Sequence, residues 1–366
     1  MVPRATKSSG KKQSLLVVGP GVLGGFALGE TRVTAVRGGR ARQSTRRTAS
    51  CEPRRRRHPP FHSHRPSNVA VEYLRAHPDA TAVAQTATTT NHDRLACAAA
   101  AAGIPADRLV LRTSADAPAA DAEAPHTHVV FSAPPSGSED YPGEVAAALA
   151  RWAGPADGGR FVFTSSAGLY QEDGRGVVTE TSPIASLGES PRLDRLLQAE
   201  AAVLAAGGCV VRLTGLYHRD RGAHTHFLKM GVVPRPGNYL LNLVHYEDAA
   251  RLTLAALDGD RSEPGSVYLG ADGSPLEFKA MTDACLASGL WPDATGVEYT
   301  GDESVPTGKV LDASWTREAL GWAPVYPSFA SLVVDARGED AYRRDPEGLG
   351  GLGLAHGQGP RKSHKE

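Results

Sequence analysis

The sequence predicts an α/β chain: a doubly wound parallel sheet with a small C-terminal substrate lobe. Three observations predict it. Short apolar runs alternate with helical spacing from Ser14 to about Leu213, the alternation that builds strand–helix–strand units. The first run, Ser14 to Val18, leads straight into Gly19-Pro20-Gly21-Val22-Leu23-Gly24. Past Leu216 the alternation loosens into shorter pieces, which read as a lobe over the strand ends.

The elements follow in order. Leu-Leu-Val-Val within Ser14 to Val18 has no polar alternation, as expected of a strand buried on both faces. Helical spacing resumes at Val69-Ala70-Val71-Glu72-Tyr73-Leu74 and stops before His77-Pro78. Thr81 to Thr86 reads as the second strand, Asn91 to Ala102 as an Ala-rich helix ended by Gly103, and Arg108 to Arg112 as the third strand. Thr113 to Pro125 is a loop. His128 to Ala133 reads as the fourth strand, Glu144 to Trp152 as a helix, and Arg160 to Thr164 as the fifth strand. Arg192 to Ala206 has one apolar face, and Cys209 to Leu213 is the sixth strand. In the lobe, Asp248 to Leu257, Leu276 to Ser288 and Trp315 to Leu320 are helices, and Val267 to Leu269 is a strand.

These readings divide the chain into a polar tail (1–13), a dinucleotide-binding unit (14–215), a smaller lobe interleaved with it (216–334) and a Gly-rich disordered tail (335–366). At 366 residues and 41% hydrophobic content, the chain can bury one large core or two smaller ones. No run approaches the ~18 apolar residues that cross a bilayer, so no membrane partner is expected. Cys51, Cys97, Cys209 and Cys285 are scattered, without a C-x-x-C pair. That spacing is neither a disulfide framework nor a zinc site, and it fits a reducing compartment. Met1 to Gln13 is basic and free of acids, which reads either as the remnant of an organelle-targeting peptide or as a polar tail. An organelle or the cytoplasm is the expected compartment.

The zero net charge hides an asymmetry. Residues 26–68 hold 11 arginines, no lysine and two acids, so the remainder carries 29 basic against 38 acidic residues. This Arg-rich segment interrupts the first strand–turn–helix unit; joining Gly24-Gly25 to Val69 restores it. It reads first as translated non-coding sequence and second as a disordered loop. A nucleic-acid-binding arm ranks last, because no aromatic or folded motif accompanies the arginines.

G-x-G-x-x-G directly after a buried strand is the Rossmann dinucleotide fingerprint. Gly19 permits the turn, Gly21 lets backbone approach a pyrophosphate, and Gly24 lets the helix pack. Val22 and Leu23 complete the loop, and the helix start offers free N–H groups to phosphate. The end of the second strand, Gln85-Thr86-Ala87-Thr88, has no acid to repel a 2′-phosphate. That favours NADP over NAD, through the hydroxyls of Thr86 and Thr88. Ala133, Pro134 and Pro135 follow the fourth strand, where backbone lines a dinucleotide path or simply turns.

Seven motifs in order give the chain a family likeness. They are Gly19-x-Gly21-x-x-Gly24, Phe163-Thr164-Ser165-Ser166-Ala167-Gly168-Leu169-Tyr170, Glu180-Thr181-Ser182-Pro183, Ala199-Glu200, Val211-Arg212-Leu213-Thr214-Gly215-Leu216-Tyr217, Asn242-Leu243-Val244-His245-Tyr246-Glu247-Asp248, and Leu320-Gly321-Trp322 with Tyr326-Pro327-Ser328. The sequence resembles the extended and atypical short-chain dehydrogenase/reductase superfamily, in its NAD-dependent epimerase/dehydratase-like branch. Within it the likeness is to plant and algal Rossmann-fold proteins.

The resemblance implies a nicotinamide cofactor, a small-molecule partner such as a nucleotide sugar or carbonyl compound, and no nucleic acid. It implies that Ser166 hydrogen-bonds the substrate. The family's Tyr-x-x-x-Lys pair, counted back from Glu200, falls on Arg192 and Leu196. Leucine cannot lower a phenol's pKa and arginine is never deprotonated, so the usual proton relay is missing. Tyr170 is the substitute phenol. Arg192, Asn242 and His245 are candidate substrate contacts, with helix-start exposure for Arg192, and capping for the other two, as their competing readings. His224 and His226 lack a third metal ligand. The expected function is an oxidoreductase or sugar-nucleotide epimerase-like enzyme; the alternative is a non-catalytic NADP(H)-binding sensor or scaffold.

Overall fold

The computed structural model describes residues 13–19, 69–136 and 138–330. Gly21, Val22, Leu23, Gly24, the Arg-rich segment and both tails lie outside the described residues.

Seven parallel strands form the central sheet. In chain order they start with β1 (Ser14–Val18), β2 (Thr81–Thr86), β3 (Leu109–Thr113), β4 (His128–Phe131) and β5 (Arg160–Ser166). The lobe strand β6 (Gly174–Val178) intervenes before β7 (Cys209–Leu213). The spatial order is β12-β7-β5-β4-β1-β2-β3, the edge strand β12 (Val267–Gly270) returning from the lobe sequence. The expected alternation is therefore observed, and the lobe's predicted strand 267–269 proves to be the seventh strand of the main sheet.

Successive residues of β1 serve opposite faces. Leu15 and Val17 pack with α1 (Val69–Ala76), α2 (His92–Ala101) and α6 (Tyr246–Asp258). Leu16 and Val18 pack with α3 (Tyr141–Leu149) and α4 (Pro191–Ala205). Helix α3 begins three residues before its predicted start, because the Asp140 carboxylate caps it by accepting the Gly143 N–H at 2.9 Å. Strand β4 stops at Phe131, two residues early: Ser132 turns back, its hydroxyl donating to the carbonyls of Val18 (3.2 Å) and Gly19 (3.0 Å). The loop predicted between β3 and β4 holds one short 3₁₀ turn and is pinned by Glu123, which accepts a two-pronged bond from Arg112 at 2.8 and 2.9 Å.

The remaining strands are short: β8 (Gly215–Tyr217), β9 (Val232–Val233), β10 (Leu240–Leu241), β11 (Leu243–His245), β13 (Leu276–Glu277), β14 (Glu298–Tyr299) and β15 (Gly308–Leu311). They form a four-stranded sheet, β13-β10-β15-β6, and two strand pairs. With α5 (Ala223–Met230), α7 (Phe278–Ser288) and α8 (Ser314–Leu320) they complete the lobe and its junction with the sheet. Its own core gathers Tyr217, Phe227, Phe278, Met281 and Phe329. Strand β6 and helix α5 were not foreseen. Arg175 in β6 takes a positive φ of 64°, uncommon for a side-chain-bearing residue, and its guanidinium is held by Glu277 at 2.7 Å.

Candidate functional site

The sheet order reverses direction between β1 and β4, since the chain runs outward from β1 to β3 on one side and from β4 to β12 on the other. Crevices at such a reversal, beyond the carboxyl ends of the strands, are where open α/β sheets bind ligands. Gly19 stands there. Its φ is +76°, and a Cβ on it would lie 2.4 Å from the Ala133 nitrogen, so only glycine fits. Its N–H donates to the Gln85 carbonyl at 2.7 Å, which bends the chain over the end of β2.

The neighbouring strand ends are firmly held. The Ala133 carbonyl accepts the Tyr141 hydroxyl at 2.8 Å, and the Pro135 carbonyl accepts Arg195 at 3.1 Å; Pro134 is exposed. Thr86 is buried and donates to the Thr88 carbonyl at 2.8 Å, with His92 Nε2 at 2.7 Å. Thr88 is exposed beside Thr90. Sequence order put no arginine next to these threonines, but strand register does. Gln85 pairs with Arg112, whose Nε donates to the Gln85 side chain at 3.0 Å. The charge of Arg112 is matched by Glu123, and those bonds hold the Glu123 carboxyl below the usual range.

A cavity of about 550 Å³ opens from the end of β5 toward the lobe. Ser166 and Arg192 form its sheet side, Arg221, His226 and Arg235 come from the lobe segments, and Asn242 and Lys309 from the lobe sheet region. No aspartate or glutamate is among its lining residues. Four cations around a carboxylate-free hollow set up a field that favours an anion.

The predicted catalytic and substrate-contact residues each have a definite place. Ser166 is buried at the last position of β5, and its oxygen accepts the Gly168 N–H at 3.1 Å. Arg192 lies in the first turn of α4, exposed at the cavity wall, while Leu196 one turn on is buried in the core beneath. Tyr170 does not line the cavity. Its hydroxyl donates to the Glu180 carbonyl at 3.2 Å, its ring lies 5.0 Å from the Arg212 guanidinium carbon, and burial raises its pKa. The expectation of a substitute phenol is thereby replaced by a packing role.

Asn242 reaches the cavity but spends its amide on β15, donating to the Lys309 carbonyl at 2.7 Å and accepting the Leu311 N–H at 2.9 Å. His245 caps α6, accepting the Glu247 N–H at 3.2 Å, and stacks 3.7 Å from the Tyr326 ring, away from the cavity lining. His224 is buried against Trp291 and Phe329, so the two histidines around Thr225 diverge. No group of three or more His, Cys, Asp or Glu suited to a metal occurs among the described residues. No helix among them is long and apolar enough to cross a membrane.

The motif reading missed Arg221, Arg235 and Lys309. Lys309 is half-buried; its ammonium donates to the Tyr170 carbonyl, and burial lowers its pKa, opposed by Asp173 and Glu172. Beneath the cavity, Arg212 and Glu200 form a buried two-pronged pair at 3.1 and 2.7 Å that ties α4 to β7.

Comparison with solved structures places the architecture. The chain superposes on a dTDP-glucose 4,6-dehydratase from Bacillus anthracis, in complex with NAD, with TM-score 0.58 and 14% identity, covering 92% of this chain and 98% of that one. A UDP-glucose 4-epimerase from Thermotoga maritima gives TM-score 0.56 and 13% identity over 91% and 99%. A functionally unknown conserved protein from Silicibacter pomeroyi gives 0.58 and 17% over 90% and 100%. The chain has the Rossmann-like α/β fold that these structures share. No family model and no curated protein matches its sequence.

Proposed function

We propose that this chain is a nicotinamide-dinucleotide-dependent enzyme acting on an anionic small molecule, of which a nucleotide sugar is the leading class. The observation that carries the reading is the position of Gly19. A glycine that only glycine can fill closes the sheet's reversal point, beside a basic cavity that begins at Ser166. The residues at the strand ends suit a dinucleotide: Gly19, Ala133, Pro134 and Pro135 on the central edge, with Thr86 and Thr88 toward the ribose end. When bound, the nicotinamide supplies a hydride acceptor or donor.

The chain's own residues do the rest. The Ser166 hydroxyl offers a hydrogen bond to a substrate oxygen, and the cations Arg221 and Arg235 hold the anionic portion. Arg192 and Leu196 occupy the positions of the family's proton-relay pair and cannot move a proton. We assign that step to Lys309 Nζ, the cavity-wall amine whose proton affinity burial reduces. With no acid at the end of β2 and Arg112 already neutralised, both dinucleotides are accepted and NADP is favoured.

A second reading, a non-catalytic NADP(H) sensor, draws on one observation: the relay positions hold Arg192 and Leu196. Titrating the protein with NADH and NADPH, then screening turnover with UDP-glucose, UDP-glucuronic acid and dTDP-glucose, separates the two. The enzyme reading expects binding and turnover, with Lys309→Met lowering the rate roughly 100-fold while dinucleotide affinity is kept. Binding without turnover establishes the sensor, and absence of binding refutes both.

A further inference from the structure

Arg192 is a cation without a structural task. It sits in the first turn of the 15-residue helix α4, directly after Pro191. Positive charge there opposes the helix dipole, which favours acids at that end. The acids nearby are engaged elsewhere: Glu189 accepts the Ser186 N–H at 2.6 Å, and Asp194 accepts the Gly188 N–H at 2.8 Å. Arg195, three residues on, is fixed on the Pro135 carbonyl. The Arg192 guanidinium has no hydrogen-bond or ion-pair partner among the described residues, and it lines the cavity together with Ser166.

Arg221 and Arg235 reach the same cavity from the lobe. Arg221 precedes α5, its guanidinium carbon 5.7 Å from the Tyr246 ring centroid, and Arg235 follows β9. Neither has an ion-pair partner among the described residues. Guanidinium groups without a carboxylate partner thus line one hollow from its sheet wall and from its lobe wall. A ligand with acid at one end leaves the other guanidinium unmatched.

We propose that Arg192 makes the Ser166 end of the cavity a second oxyanion site, so that the ligand is acidic at both ends, carrying a carboxylate or phosphate beside its reacting carbon. The inference rests on the cavity's being the substrate site. Arginine suits the task, because its planar fork binds either oxyanion through two parallel N–H bonds.

Calorimetry on the full chain tests it with three ligands that share a sugar and its 1-phosphate: glucose 1-phosphate, glucuronic acid 1-phosphate and glucose 1,6-bisphosphate. A charge-assisted bond is worth roughly tenfold or more in affinity. The two-acid ligands are therefore expected to bind at least about tenfold tighter than glucose 1-phosphate, and whichever gains more identifies the second acid as carboxylate or phosphate. Arg192→Leu removes that preference, Arg192→Lys restores part of it, and Arg235→Leu weakens all three ligands alike. Equal affinities, no measurable binding of either two-acid ligand, or a preference that survives Arg192→Leu overturns the proposal. NADPH titration of the same samples keeps the tests apart: binding of NADPH without a two-acid preference sinks only this inference. A two-acid preference without NADPH binding sinks only the cofactor reading.

Discussion

The central sheet and the C-terminal lobe both have apolar cores, but side-chain hydrogen bonds do more of the joining in the lobe. In the sheet, β1, β4, β5 and β7 are almost wholly buried, and apolar side chains fill both faces between two helix layers. The lobe strands are mostly two to four residues long, and side chains clip them: Asn242 onto β15, Arg175 onto Glu277, and Asp248 onto the Val325 and Tyr326 N–H groups at 2.7 and 2.9 Å. A continuous apolar core makes a rigid platform for a cofactor. A lobe built from clips can change the residues lining its cavity without altering the platform, which is how one fold carries many substrates.

Substitutions at matched positions sharpen the contrast. The largest effect is expected in the sheet half, where Glu200→Ala strands Arg212 as a buried unpaired charge and should cost about 3–5 kcal/mol in denaturant unfolding. A loss under about 1 kcal/mol would show that water reaches the pair. In the lobe, Asn242→Ala leaves the Lys309 carbonyl and the Leu311 N–H without partners and should cost about 1–3 kcal/mol. Anion affinity should fall while NADPH affinity stays constant; a parallel loss of both would break the distinction between platform and lobe.

At the junction the expected effect is a pH slope. Asp272 follows β12, its N–H donating to the Leu243 carbonyl and its carboxylate accepting the Ser274 N–H. Burial pushes its pKa up to about 8. The folded chain therefore keeps a proton that the unfolded chain releases near pH 4, and stability falls as pH rises between those values. Asp272→Asn should flatten the decline in Tm from about pH 5 to about pH 8. An unchanged slope would place the titration elsewhere.

The same contrast governs what could be read from the sequence. Strands β1 and β2 were legible to the residue: β1 carries the uninterrupted apolar run Leu15 to Val18 of a buried parallel strand, and β2 an Ala-Val-Ala centre flanked by threonines. Strand β6 was not, since Gly174, Gly176 and a left-handed Arg175 carry no β pattern, and two-residue strands such as β9 and β10 have no period at all. The positive-φ turn at Gly19 and the place of Ser166 at the end of β5 were legible in the sequence. The basic wall was not: Arg221, Arg235 and Lys309 come from separate loops and strand edges, and only the folded chain gathers them. Tyr170 illustrates the reverse error, because its place in a motif says nothing of where its hydroxyl points.

Hydrogen–deuterium exchange with and without NADPH tests the central claim most directly. Slowed exchange is expected at Gly19, over 85–88 and over 132–136, with the lobe strands unchanged. Protection confined to the lobe, or none anywhere, would contradict a dinucleotide seated at the sheet's reversal point.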